Sequence, residues 1–221
     1  MSKLMLNPEF NLYERNGLAF CSSRQVAGEF NKQHKNVLQS IDAITDPTNG
    51  ASEDFTRLNF QPSSYSDSSG KKNREYLMTK DGFAILTMGF TGKKAMRFKE
   101  AYINRFNQME SFIRNLAEAK ADFPEFTQAI MLTHDEPKHY HFSSELDMIN
   151  RIVTGMSAKQ FKEAHGLGKV NSIRPYLTPG QAEAVKALQR IDIGLIHAIP
   201  GFQERKQILT AQYNRRLSIA G

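Results

Sequence analysis

The chain has 221 residues, 40% of them hydrophobic and 24% charged, a globular balance that excludes a wholly disordered polymer. Its net charge of +6, from 29 Lys and Arg against 23 Asp and Glu, leans modestly toward an anionic partner. One cysteine, Cys21, excludes an internal disulfide, and no apolar run reaches the ~18 residues of a membrane span. Residues 1–7 show no signal-peptide core, so a cytoplasmic protein without membrane contact is expected.

Residues 10–21 read as a small hairpin with strands at 11–13 and 18–21 and a turn ending at Gly17. Ser22 or Ser23 then caps a helix carrying Val26, Ala27 and Phe30 on one face. Asn31 and Lys32 break that pattern. A second helix runs from about Gln33 to Ile44, its apolar stripe formed by Val37, Leu38, Ile41 and Ile44, and a loop follows at 46–50. The outer face of this helix carries His34, Lys35, Asn36 and Gln39. Two short helices joined by a tight polar turn have the form of a helix-turn-helix, whose second helix buries one stripe and offers its polar N-terminal residues to base edges. Asn and Gln suit adenine, Lys suits guanine or phosphate, and Arg24 and Lys32 add positive charge beside them. The same pattern also occurs in ordinary helical cores.

Residues 55–65 and 72–78 read as two strands around a turn at 66–71, with Pro62 confining the first to an edge. A hairpin tip bearing Lys71, Lys72 and Arg74 would act as a wing on the phosphate backbone. Thr79 caps a short helix carrying Phe83, Ile85, Leu86 and Met88, and a long helix begins at about Lys93 and runs to about Glu118. Lys93 and Lys94 at its start, behind Gly92, offer a further phosphate contact. From Lys71 to Arg114 ten basic residues face four acidic ones. In the long helix Tyr102, Phe106, Met109, Ile113 and Leu116 follow a 4-3-4-3 spacing, which suits either a homodimer seam or packing on the domain's own core.

Residues 119–142 contain Pro124 and Pro137 and no sustained period, so a linker is expected there. His134, His139 and His141, with Asp135 and Glu136, lack a metal-ligand spacing, and neither metal nor cofactor is expected. From 143 the chain reads as helical: a helix capped by Ser143 or Ser144, a short one over 157–164, a long one from Pro179 and a last one after Gly201. The fold class is α+β, with a winged-helix-like domain over 1–118, a linker over 119–142 and a small all-α domain over 143–221.

Several blocks carry a family resemblance. They are Ser22-Ser23-Arg24-Gln25-Val26-Ala27, Lys32-Gln33-His34-Lys35-Asn36-Val37-Leu38, Ser63-Ser64-Tyr65, and Tyr76-Leu77-Met78-Thr79-Lys80-Asp81-Gly82-Phe83. The strongest is Met88-Gly89-Phe90-Thr91-Gly92-Lys93-Lys94-Ala95-Met96, followed by Phe98-Lys99 and Tyr102-Ile103. Over about residues 12–112 the chain resembles the Rha family of phage regulatory proteins. The later stretch Glu145-Leu146-Asp147-Met148-Ile149-Asn150-Arg151 is similar to C-terminal modules of phage antirepressor-type proteins. The resemblance implies a prophage-encoded regulator in the bacterial cytoplasm and supplies no catalytic residues.

Enzyme chemistry is not expected. Gly89-Phe90-Thr91-Gly92-Lys93-Lys94 lacks the glycine spacing of a nucleotide phosphate loop, and no nucleophile elbow or His-Glu-x-x-His pair occurs. The expected function is a transcriptional regulator that binds double-stranded DNA through the helix-turn-helix and wing, acting as a homodimer. The alternative is an antirepressor that binds a repressor or host factor.

Overall fold

Asn16 and Gly17 both adopt positive φ, 55° and 77°, the pair of left-handed residues that a two-residue hairpin loop requires. They join β2 (Leu12–Arg15) to β3 (Leu18–Ser22), with Arg15 paired to Leu18. The computed structural model describes residues 4–48 and 50–220 and divides the chain into two compact units, Met1–Glu110 and Ser111–Gly221. In the first unit a further strand, β1 (Met5–Asn7), pairs with β2, an element for which the sequence carries no visible signal.

After β3 come α1 (Ser23–Glu29) and α2 (His34–Ile44), then α3 (Glu53–Asn59) and the hairpin β4 (Phe60–Ser66) and β5 (Lys72–Met78). The sheet is antiparallel in the order β1-β2-β3-β5-β4, so the inner strand of the hairpin pairs with β3 across the helices between them. Pro62 sits in β4 at the sheet edge, where its missing N–H costs least. The strand expected over 55–65 is corrected in its first part. Residues 55–59 belong to α3, which has Glu53 and Asp54 in its first turn, favourably placed against the helix dipole.

Thr79 caps α4 (Lys80–Met88), accepting a hydrogen bond from the Gly82 N–H, and α5 (Lys93–Ala121) follows. The core of the first unit is aromatic. Phe83 stacks on Tyr102 with ring centroids 4.5 Å apart, Phe106 lies 6.2 Å from Phe83, and Phe30 reaches Phe83, Phe90, Phe98 and Tyr102. Each such pair adds about 0.5–1.5 kcal/mol beyond area burial. Tyr102, Phe106 and Met109 are fully buried within the chain, so these three members of the 4-3-4-3 series are core rather than a seam open to a second copy. Ile113 and Leu116 are half-buried. Cys21 is buried, and desolvation pushes its thiol pKa up.

The second unit is helical. The stretch 119–142, expected as a linker, instead holds the end of α5, all of α6 (Phe123–Leu132) and the start of α7 (His139–Thr154). Pro124 is accommodated in the first turn of α6, where no intrahelical N–H is needed. Gly155, at φ 75°, ends α7, and α8 (Ala158–Ala164) starts from the Ser157–Gln160 capping box. A 3₁₀ turn over Arg174–Tyr176 leads to α9 (Pro179–Ala198), capped by Thr178, and then α10 (Phe202–Ala220). Lys186 and Arg190 of α9 hold Glu118 and Asp122 at the end of α5 and just beyond it, at 3.0 and 2.6 Å, while buried Gln189 donates to the Ala119 carbonyl. Arg205 of α10 lies among the buried carboxylates Glu145 and Asp192. Among the described residues no helix is long and apolar enough to cross a membrane.

Candidate nucleic-acid interface

The turn between α1 and α2 is set by one residue, Asn31, at φ 52°. Asn tolerates this left-handed conformation better than most residues, and it lets the Lys32 N–H close on the Ala27 carbonyl at 2.8 Å. Before it, Ser22 and Gln25 cap α1 reciprocally. Val37, Leu38 and Ile41 bury the inner stripe of α2, which leaves Lys35, Asn36 and Gln39 exposed on its outer face.

His34 behaves differently from its neighbours. Its Nε2 lies 2.8 Å from the Ser23 hydroxyl, and its ring sits 6.1 Å from that of Tyr65. Burial lowers its pKa below the ordinary imidazole value, so at neutral pH it is an uncharged pin between α1 and α2.

Two arginines expected at the interface are likewise engaged within the protein. Arg24 places Nε 2.9 Å from the buried Glu75 carboxylate and lays its guanidinium over Tyr65 at 3.9 Å. Arg74 grips Asp42 of α2 at two points, 3.1 and 2.6 Å, and this hydrogen bonding holds its pKa above the usual guanidinium value. The Tyr76 hydroxyl approaches the same Asp42 carboxylate at 3.4 Å, and the Tyr76 N–H donates to Ser23. These contacts fasten the hairpin to the helix pair.

Lys71 and Lys72 remain exposed at the hairpin tip. The tip is shaped by Asp67, whose carboxylate accepts from the Ser69 and Lys71 N–H groups, the Ser69 hydroxyl and the Asn73 amide, and by Gly70 at φ 82°. Those hydrogen bonds, led by the Ser69 hydroxyl, hold Asp67 below the usual carboxylate range. Lys93 and Lys94 are exposed at the start of α5 behind Gly92, and Lys32 rests its ammonium over Phe90 at 4.4 Å while staying exposed. The surface thus joins an amide-bearing helix face to a rigidly held, lysine-tipped hairpin, donors suited to base edges and phosphates respectively.

Asp42, Tyr65, Glu75 and Tyr76 carry no functional signal in the sequence, because their partners lie tens of positions away. Asp42 does leave one trace: it falls on the Lys35–Gln39 face of α2, an acid where a phosphate-binding helix would otherwise carry none.

The model of the phage regulatory protein Rha family matches residues 21–111, from the end of β3 through the helix pair and the hairpin to most of α5. An uncharacterised protein of Haemophilus influenzae is 40% identical over 88 residues, which are 40% of this chain and only half of that protein. A 22.8 kDa protein from the gp15–gp3 intergenic region of Salmonella phage P22 is 34% identical over 145 residues, covering 62% of this chain and 68% of the relative. YoqD, an SPbeta prophage-derived antirepressor-like protein of Bacillus subtilis, is 28% identical over 181 residues, 73% of this chain and 70% of that protein. With the family model spanning the whole helix–hairpin region and the P22 relative matched over two thirds of its length, the chain belongs to the Rha family of phage regulatory proteins.

Proposed function

We propose that the protein is a phage regulator that binds double-stranded DNA, with α1 and α2 as a helix-turn-helix and the β4–β5 hairpin as its wing, acting in the bacterial cytoplasm by binding rather than catalysis. One observation carries this reading. Lys35, Asn36 and Gln39 stand on the outer face of α2, and the hairpin bearing Lys71 and Lys72 is locked to that same helix through Arg74 and Asp42. The sheet order β3-β5-β4, with the helix pair inserted between β3 and the hairpin, supports the winged-helix form. Titrating the full chain with duplex DNA across a range of salt concentrations tests it. Log affinity should fall linearly with log salt, and Lys71→Ala with Lys72→Ala should flatten the slope by about 0.9 for each phosphate that is no longer neutralised. Binding without salt dependence, or unchanged in the double variant and in Asn36→Ala, would sink the reading.

A second reading rests on the likeness to the antirepressor-like YoqD, which extends beyond the helix–hairpin region over 73% of the chain. In that reading the protein binds a repressor or host factor. It predicts a stable protein complex that survives salt concentrations at which duplex DNA is released.

A further inference from the structure

The helical unit holds a cavity of about 750 Å³, within the ~300–1,000 Å³ of sites that take small organic ligands. Its apolar walls come from Leu116 near the end of α5, Phe123 of α6, Leu146 of α7 and Ile173 before the 3₁₀ turn. Phe123 is 39% exposed, an aromatic ring on the wall that its own fold leaves uncovered.

The charged groups on this cavity are nearly all of one sign. Lys120, Lys159, Lys162 and Arg174 line it, and none of them has an ion-pair partner among the described residues. Arg174 is half-buried, and its Nη2 donates to the Gln189 side-chain carbonyl oxygen at 2.9 Å; the lowering of its pKa has burial as its cause. The one lining carboxylate, Asp147, is occupied, accepting the Ala158 N–H at the start of α8 at 2.9 Å. Burying a guanidinium without a counter-ion is costly, and a carboxylate supplied by a ligand would relieve that cost with paired, charge-assisted hydrogen bonds.

We propose that this cavity binds a small amphipathic carboxylate, its apolar body against Leu116, Phe123, Leu146 and Ile173 and its head group on Arg174. Lys120, Lys159 and Lys162 supply the attracting field around the mouth.

Calorimetric titration of the full chain with decanoate, below its micelle concentration, tests the assignment. Decyltrimethylammonium, equal in chain length and opposite in charge, is the control. Saturable binding of about one decanoate per chain is expected, with affinity at least tenfold weaker for the cation. Arg174→Met should lose most of the decanoate affinity. Ala158→Phe, which fills the cavity from a half-buried position and leaves Arg174 in place, should lose it too, with melting and circular dichroism reporting that the variant is folded. Absence of saturable decanoate binding, equal binding of the cation, or wild-type affinity in the folded Ala158→Phe variant would each overturn the proposal.

Discussion

Arg74 of β5 and Asp42 of α2 are bound at two points, Nη1 to Oδ1 at 3.1 Å and Nη2 to Oδ2 at 2.6 Å, across 32 positions of sequence. The guanidinium that composition alone would give to DNA is thus paired with an acid of α2 and fastens the hairpin to that helix, while its side chain stays exposed. Arg74→Ala should leave the salt slope of duplex binding close to the wild-type value. Asp42→Ala releases the cation and should steepen that slope by about 0.9 if Arg74 then meets a phosphate. Fluorescence anisotropy on a labelled duplex reads both. A slope that drops in Arg74→Ala as far as in Lys71→Ala would return Arg74 to the interface.

Met109 is 1% exposed, next to buried Phe106 on α5. Truncation there opens a cavity, so Met109→Ala should cost about 2–5 kcal/mol in chemical denaturation, while half-buried Ile113 should tolerate the same change better. Sedimentation at several concentrations separates this from a dimer seam. A variant of unchanged stability that dissociates an oligomer would show that the helix meets a second copy at Met109.

What can be read from sequence follows the range of the interaction. The Asn16-Gly17 turn, the Ser22 and Thr79 caps, the Pro179 helix start and the apolar stripe of α2 are decided within a few residues and are legible. The 4-3-4-3 series on α5 is legible as an apolar face, but periodicity cannot distinguish a face that meets Phe83 from one that meets another chain. The stretch 119–142 reads as a linker because two prolines outweigh the apolar Phe126, Ala129 and Ile130, which α6 buries. At the candidate interface Lys35, Asn36 and Gln39 are visible, whereas the Arg24–Glu75 and Arg74–Asp42 pairs span 51 and 32 positions and leave no local pattern.

Gly82 and Gly28 make a matched pair for testing how tightly α4 is seated. A Cβ on Gly82 would lie 2.4 Å from the Asn59 carbonyl oxygen, a backbone atom that cannot swing away, whereas a Cβ on Gly28 in α1 meets nothing within 4 Å. Gly82→Ala should therefore destabilise by about 1–3 kcal/mol through forced backbone shifts. Gly28→Ala should stabilise by about 0.4–1 kcal/mol through lower unfolded-chain entropy. Urea denaturation of the two variants should move in opposite directions; a neutral Gly82→Ala would mean that α4 can slide on α3 without cost.

Arg205, Glu145 and Asp192 form a buried charged trio in the helical unit. Arg205 donates to Glu145 and to the Ile199 and Pro200 carbonyls, with its Nε 3.6 Å from Asp192. One cation thus serves two buried carboxylates. Burial first, and then the Glu145 charge, push Asp192 from 3.8 up to about 7, and burial raises Glu145 as well. A raised carboxyl pKa means that the folded chain holds a proton which the unfolded chain releases. The stability from Asp192 is then fully present below its unfolded value and declines as pH climbs toward about 7. Asp192→Asn should abolish this decline and stabilise the protein by about 1–2 kcal/mol at pH 8, where the wild type must bury two charges beside one arginine. Arg205→Met should cost about 3–5 kcal/mol by leaving both carboxylates without their cation, and more at pH 8 than at pH 5. Urea denaturation followed by circular dichroism at pH 5, 6, 7 and 8 measures all three proteins. Parallel pH profiles for wild type and Asp192→Asn would mean that Asp192 is ionised throughout and that Arg205 alone satisfies the pair.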